Sequence, residues 1–142
     1  MLLGEFEQRL DAKNRVTLPA RFRPRFAGGV VVTKGWDKCL FVWDPEGWQR
    51  FADLQLSRLD PFTREGRQLE RFLFGGAKET ELDGQGRVML PAPLMKHAML
   101  DKEIVVVGVR DHLEIWDRER WNGESQVEGV EDVAERFAER QR

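Results

Sequence analysis

The sequence of 142 residues contains no tyrosine, two histidines and a single cysteine, Cys39. One cysteine excludes an internal disulfide framework and is typical of a reducing compartment. No apolar run approaches the ~20 residues of a membrane-spanning helix, and the N-terminus lacks the basic and apolar segments of a secretory signal. We therefore expect a cytoplasmic protein, long enough for one compact domain with a real core.

Residues for metal binding or catalysis are equally scarce. His97 and His112 have no ligand spacing with Cys39 or with a pair of carboxylates. No glycine-rich loop carries the Lys and Ser/Thr that cradle phosphates, and no set of nucleophile, base and orienting group can be assembled. The sequence predicts a protein without metal or cofactor that is not an enzyme.

The net charge of −2 hides an uneven distribution. Residues 1–25 carry six basic and three acidic side chains, whereas residues 111–142 carry five basic and ten acidic ones. The rest is balanced, so +3 and −5 give −2. An acidic tail therefore masks a basic front end, although a solvated surface of mixed sign explains the charges equally well.

A repeat organises the chain. Residues 10–19 return as residues 82–91, at an offset of 72, with Leu, Asp, Arg, Val, Leu and Pro in register. Residues 35–48 return as residues 108–121 at an offset of 73. Each unit of ~45 residues is marginal for a core of its own, so the two copies should pack on each other.

This repeat predicts four parts: a first repeat, a connecting helical segment, a second repeat and an acidic tail with an amphipathic helix. Their bounds are residues 1–50, 51–76, 77–122 and 123–142. The tail pattern begins at Val127.

Each copy of the motif reads as strand, turn and strand, which together form a two-stranded loop. Asn14 and its equivalent Gly86 are the residues that best tolerate a left-handed backbone, so we expect a positive φ at both. Later in each repeat, a second pair of apolar strands is expected to form a hairpin.

Two helix starts are predicted between the repeats, at Asp44-Pro45 and at Asp60-Pro61, because a capping residue precedes proline at the first helical position. The first helix should bury a face that includes Leu56. The second should run to about Phe74, with Phe62, Leu69, Phe72 and Leu73 on its inner side. Asp117 should cap the helix that follows the second repeat.

The doubled Asp-x-x-x-Arg motif, Asp11 to Arg15 and Asp83 to Arg87, has two interpretations. It can be a self-capped turn in which the carboxylate holds turn amides and the arginine. It can also present an arginine to phosphates or to a guanine edge. We assign the aspartates, with Asn14 and Gly86, a structural role and the arginines a binding role.

With Val-x-Leu-Pro following each copy in the form Val16 to Pro19 and Val88 to Pro91, the doubled motif resembles that of the MraZ family. These are bacterial transcriptional regulators related to the AbrB and MazE group. The resemblance covers nearly the whole chain and implies a mixed β/α fold, a double-split, swapped-hairpin β-barrel of two AbrB-like halves assembled into a homo-oligomeric ring. It also implies binding to direct repeats in the promoter of the division and cell-wall gene cluster, autorepression, and a nucleoid location.

Further DNA contacts are expected around the two motif arginines. Near the first loop these are Lys13, Arg9 and Arg21; near the second they are Gln85 and Lys78. We hypothesise that the first loop supplies more of the electrostatic affinity and the second more of the geometric fit.

An interaction protein is the competing class: an antitoxin-like module of the same fold that binds a protein partner through residues 123–142. The two classes differ in the residues on which binding depends. DNA binding should depend on Arg15 and Arg87, whereas partner binding should depend on the tail.

Overall fold

The computed structural model describes residues 1–125 and 129–142. Its eight strands are β1 (Leu2–Arg9), β2 (Arg15–Thr17), β3 (Val30–Lys34), β4 (Leu40–Trp43), β5 (Lys78–Thr80), β6 (Arg87–Met89), β7 (Glu103–Arg110) and β8 (His112–Asp117). Its α-helices are α1 (Pro45–Arg58), α2 (Arg64–Glu70), α3 (Ala92–His97), α4 (Arg118–Ser125) and α5 (Val130–Arg140). Short 3-10 helices span Ala20–Phe26 and Trp36–Lys38, and a π-helical turn, Arg71–Gly75, continues α2.

The strands form a six-stranded antiparallel sheet in the order β1-β7-β8-β4-β3-β5 and a separate two-stranded ribbon, β2-β6. If each strand is replaced by its equivalent in the other repeat, the same strand order results, read from the opposite edge. The six-stranded sheet is therefore pseudo-symmetric. The first strand of each repeat pairs with the other repeat: β1 with β7 and β5 with β3. Neither repeat therefore completes its strand pairing alone.

The central strands are buried on both faces, which explains their continuous apolar sequence. In β3, Val30 and Val32 belong to the core beneath the ribbon, whereas Val31 belongs to a second core on the opposite face. Trp43 and Trp116 lie in that second core, against which aromatic rings of the following helices pack.

The predicted hairpins β3-β4 and β7-β8 are confirmed. Two of the three expected caps are also confirmed: Asp44 accepts a hydrogen bond from the Gly47 amide at 3.1 Å, and Asp117 accepts one from the Arg120 amide at 3.3 Å. These local start signals are satisfied by groups within three residues, which is why the sequence predicts them well.

The second helix start is wrong in position. Asp60 and Pro61 form a turn in which the Thr63 amide donates to the Asp60 carbonyl, and the Thr63 hydroxyl caps α2 through the Gly66 amide at 3.1 Å. The Asp60 side chain accepts from the Phe62 amide and caps only the turn.

The buried faces predicted for these helices are partly wrong. Phe62 is 93% exposed, and Leu56 and Leu69 are exposed as well. Of the four side chains expected on the inner side of the second helix, only Leu73 is buried, and it lies in the π-helical turn, where the added residue shifts the helical phase. No helix among residues 1–125 and 129–142 is long and apolar enough to cross a membrane.

The tail contains the amphipathic helix that its spacing predicts, as α5. Val127, where the predicted tail pattern begins, lies outside the described residues.

Candidate nucleic-acid interface

The loop at Asp11 is held by its own carboxylate. One oxygen, Oδ1, accepts hydrogen bonds from the amides of Lys13 and Arg15, each at 2.9 Å. The other, Oδ2, accepts from Nε of Arg15 at 2.7 Å. This charge-assisted pair is short and fixes the guanidinium plane against the loop. The structural role predicted for Asp11 fits these contacts.

The loop at Asp83 repeats the same geometry. Its Oδ1 accepts from the amides of Gln85 and Arg87 at 2.9 Å, and Oδ2 accepts from Nε of Arg87 at 2.7 Å. Identical distances in two copies mean that both arginines are oriented by the same local device.

The hydrogen bonds also lower the pKa of both carboxyls. The amide of Arg87 contributes most at Asp83, against partial burial, and lowers its pKa from 3.8 to about 2. The amide of Arg15 acts in the same way to lower the pKa of Asp11. Donors aimed at a carboxylate stabilise its charged form, so both aspartates are ionised at neutral pH.

A left-handed residue closes each loop, as predicted: Asn14 has φ of 57° and Gly86 has φ of 73°. Their carbonyls cross to the other repeat. Leu90 donates its amide to the Asn14 carbonyl at 3.0 Å, and Leu18 donates to the Gly86 carbonyl at 2.9 Å. A Cβ atom at Gly86 would collide with the side chain of Arg23, so a larger residue in the second loop would have to displace that arginine.

The two-stranded unit forms between the two repeats and not within each motif. We expected the strands on either side of each loop to form the two-stranded unit, but β1 and β2 lie in different sheets. The ribbon joins β2 to β6, with Val16 opposite Val88, both fully buried. Since side chains alternate along a strand, their neighbours point the other way.

The outward face of the ribbon therefore carries four side chains in two cross-strand pairs. Arg15 lies opposite Met89, and Thr17 lies opposite Arg87. Met89 is 56% exposed. The sequence analysis did not identify Thr17 or Met89, although both stand two residues from a motif arginine and so share its face.

The two arginine side chains are largely covered on this face. About a quarter of each side chain is exposed, 27% for Arg15 and 24% for Arg87. Nη1 of Arg87 also lies 4.0 Å from Oδ2 of Asp11, which links the loops. Among the described residues, the terminal nitrogens of Arg15 donate no hydrogen bond, so one edge of its fork stays available. The arginines are thus held in place and less protruding than the sequence predicts.

The other predicted contact residues divide into two groups. Lys13 and Gln85 lie in the two loops beside the ribbon. Arg9 is paired with Glu103 at 2.7 Å, and the guanidinium of Arg21 lies over the Phe6 ring at 5.4 Å. Lys78 is exposed on β5, an edge strand of the large sheet.

Arg23 is a further residue that the sequence analysis did not single out. Its Nε donates to the Leu18 carbonyl at 3.0 Å, and it packs beneath Gly86 of the opposite loop. Arg23 therefore connects the first repeat to the second loop.

Cys39 and His112 are covered by or in contact with other side chains of the protein. Cys39 is fully buried, and burial raises the pKa of its thiol. His112 contacts Asp111 at 2.7 Å and stacks on Trp43. Across residues 1–125 and 129–142, no three His, Cys, Asp or Glu side chains are placed to hold a metal ion.

Fold and site together define a class: two-repeat proteins in which pseudo-symmetric halves exchange strands and join two Asp-Arg loops through one ribbon. A family model described as "MraZ protein, putative antitoxin-like" matches residues 1–72 and again residues 73–141. The chain belongs to the MraZ family.

Curated relatives match over most of the chain. A protein named transcriptional regulator MraZ from Lachnoclostridium phytofermentans is 43% identical over 139 residues, which cover 98% of this chain and 96% of that protein. Proteins of the same name from Heliobacterium modesticaldum and Moorella thermoacetica are 44% and 49% identical, over 96% and 85% of this chain and 96% and 84% of their own lengths.

Proposed function

We propose that this chain is a DNA-binding transcriptional regulator, like the relatives named above, and that the β2-β6 ribbon is its DNA-contacting surface. One observation carries the proposal: two arginines, each oriented by its own aspartate, lie on one outward face of a two-stranded ribbon. A ribbon of this size fits the major groove of DNA.

Orientation by the aspartates makes the arginines suited to directional contacts. With Nε held, the terminal nitrogens form a fixed edge that can donate to guanine O6 and N7 or to a phosphate. The aspartates also offset the charge of the arginines, so the ribbon supplies little long-range attraction and depends on close fit. Lys13 supplies the first loop with a cation that Gln85 does not supply to the second.

Met89 and Thr17 make the ribbon face asymmetric between its two arginines. Apolar groups and threonine methyls contact the thymine methyl in the major groove. We expect Met89, the more exposed and apolar of the two, to select a thymine beside the base or phosphate that Arg15 contacts.

Affinity is proposed to come from several subunits acting together. A single module offers few cations, and the whole chain has a net charge of −2. Subunits in a homo-oligomeric ring would engage direct repeats in the promoter of the division and cell-wall gene cluster together, raising the effective concentration at each site.

Within this proposal the sheet and ribbon represent the double-split, swapped-hairpin barrel of AbrB-like proteins, and autorepression and a nucleoid location follow from binding the chain's own promoter. The exchanged pairing of β1 with β7 and of β5 with β3 supports the first point.

The test uses the variants Arg15→Gln and Arg87→Gln. Fluorescence anisotropy at fixed salt measures their affinity for the DNA upstream of the chain's own gene. Each should weaken binding by about 1–3 kcal/mol if the arginine reads a base. Arg110→Gln is the matched control, because Arg110 is exposed and far from the ribbon: its side chain is 75% exposed. It lies at the end of β7 opposite to Glu103, which pairs with Arg9 just before the first loop, and the two ends are roughly 23 Å apart. Equal effects at all three positions would contradict the ribbon as the interface.

A protein-interaction role is the second candidate, favoured by the exposed apolar side chains of α5. In that case, deleting residues 129–142 would abolish partner binding and leave DNA binding intact, while the Arg15 and Arg87 variants would do the reverse.

A further inference from the structure

Arg23 places a cation of the first repeat against the loop of the second repeat. It lies in the 3-10 helix Ala20–Phe26, and its Nε donates a hydrogen bond to the Leu18 carbonyl at 3.0 Å. Its Cδ, Nε and Cζ atoms occupy the space into which a side chain at Gly86 would project. The end of the Arg23 side chain therefore covers Gly86, which is buried.

This contact lies at one end of the β2-β6 ribbon. Thr17 and Arg87 form the last pair in its register. Just beyond them, the Leu18 amide donates to the Gly86 carbonyl at 2.9 Å. Arg23 donates to the first of these two residues and covers the second. Its guanidinium therefore lies at the same end of the ribbon as Arg87.

The opposite end of the ribbon has different residues at the equivalent positions. Asn14 is the equivalent of Gly86, and Met95 is the equivalent of Arg23 at the repeat offset of 72. Met95 is partly buried and packs against the core. The second-loop end of the ribbon thus has a cation where the first-loop end has an apolar side chain.

Without Arg23, the second-loop end would have little net positive charge. Gln85 stands where the first loop has Lys13, and Arg87 is paired with Asp83 at 2.7 Å. Within residues 1–125 and 129–142, Arg23 pairs with no carboxylate, and its terminal nitrogens donate no hydrogen bond. A guanidinium whose charge is not neutralised and whose terminal donors are available is suited to a phosphate.

We propose that Arg23 binds a DNA phosphate and thereby gives the second-loop end of the ribbon the cation that Gln85 does not supply. Gly86 makes this possible, because a side chain there would displace Arg23. A phosphate contact fixes the position of a protein on the duplex, while the residues in the groove read the bases. The inference rests on the proposed DNA binding through the ribbon and assigns a role in it to a residue outside both motifs.

Salt titrations of full-length variants test the contact, with fluorescence anisotropy on the DNA upstream of the chain's own gene. Arg23→Met removes the charge and introduces the residue type found at position 95. It should lower the slope of log affinity against log salt by about 0.9 for each bound module. Arg23→Lys keeps the charge and should keep the slope. Unchanged binding by Arg23→Met would overturn the proposal, and so would a loss of affinity without a change of slope, which indicates a purely structural role.

Gly86→Asn is an independent test of the same contact. Asn14 shows that asparagine adopts the positive φ that this position of the loop requires. The added side chain should displace Arg23 without removing a charge, and should lower the slope by a similar amount. In the Arg23→Met background the same change should lower the slope no further. The matched control Asn14→Gly should leave the slope unchanged, and additive losses for Gly86→Asn and Arg23→Met would overturn the proposal.

Failure of this contact can be told apart from failure of the proposed function. If Arg15→Gln and Arg87→Gln weaken binding and Arg23→Met does not, the ribbon binds DNA without Arg23 and only this inference is wrong. If none of the three variants changes binding, the ribbon is not the interface, and the proposed function and the contact at Arg23 are both wrong.

Discussion

At the scale of single residues, the contacts of the Asp-x-x-x-Arg motif are those of the structural interpretation and are compatible with the proposed binding role. Asp11 caps its own turn, as in a purely structural loop, and by the same contacts it fixes Arg15. The bond that stabilises the loop also orients the arginine. The structural role of the aspartate therefore does not compete with the binding role that we propose for the arginine.

Asp83 should make stability depend on pH at the acid end. Its pKa is about 2 in the folded protein against an ordinary 3.8, so its contribution is complete above 3.8 and is lost as the pH falls towards 2. Asp83→Asn should therefore lower the free energy of unfolding at neutral pH, and the difference from the original should shrink towards pH ~2. Urea unfolding across this pH range measures it. A difference that stayed constant with pH would contradict this account of the loop.

The loops should also differ in the salt dependence of DNA binding. Arg15→Ala should reduce the slope of log affinity against log salt more than Arg87→Ala, because the first loop carries the electrostatic contacts in our hypothesis. Each phosphate contact contributes about 0.9 to the slope. Titrations at several salt concentrations measure it, and a larger loss for Arg87→Ala would reverse the ranking.

Lys13 and Gln85 offer a matched pair for the same question, since they occupy equivalent positions in the two loops. Lys13→Gln should lower the slope by about 0.9, and Gln85→Lys should raise it by a similar amount. No change for either would mean that the loop tips do not contact phosphates.

At the scale of elements, helix starts are predictable when the cap is local and ambiguous when two candidate caps follow closely. Asp60 and Thr63 both satisfy the sequence rule, and both make hydrogen bonds to nearby amides. Gly66 decides between them, because its missing side chain lets the Asp60 carbonyl and the Thr63 hydroxyl approach the first turn of α2.

Thr63→Ala should accordingly cost about 1 kcal/mol in the free energy of unfolding. It removes the acceptor for the Gly66 amide, whereas the control Ser57→Ala removes only an exposed hydroxyl that donates to Leu54 within α1. Thermal or urea unfolding of both variants measures the difference. Equal losses for the two would mean that the cap at Thr63 adds nothing.

At the scale of the whole molecule, the two repeats depend on each other for strand pairing and for core. In the described part of the chain, β1 and β5 each pair only with a strand of the opposite repeat, and the two strands of the ribbon come from different repeats. The four-part division at residues 50, 76 and 122 stays a prediction, and this exchange means that its repeats are not independent folding units.

Fragments 1–76 and 77–142 should therefore fail to fold as monomers and should fold together when mixed. Alone, each lacks the partner of its first strand and one strand of the ribbon. Circular dichroism and cooperative unfolding of each fragment, and of the equimolar mixture, measure this. A monomeric fragment 1–76 with cooperative unfolding would contradict the interdependence.

The sequence by itself determined the repeat, the chemistry of the loops, the left-handed positions and the apolar strands of the two hairpins. The loops depend on hydrogen bonds within about five residues, and the strands depend on runs of β-branched and other apolar residues. The tertiary structure decided that β2 pairs with β6, which places Thr17 and Met89 between the arginines. It also decided that Phe62 and the apolar side chains of α5 stay exposed. Pairing between strands that are distant in sequence depends on which apolar faces can be buried against each other in the folded chain, and no local sequence pattern contains that information.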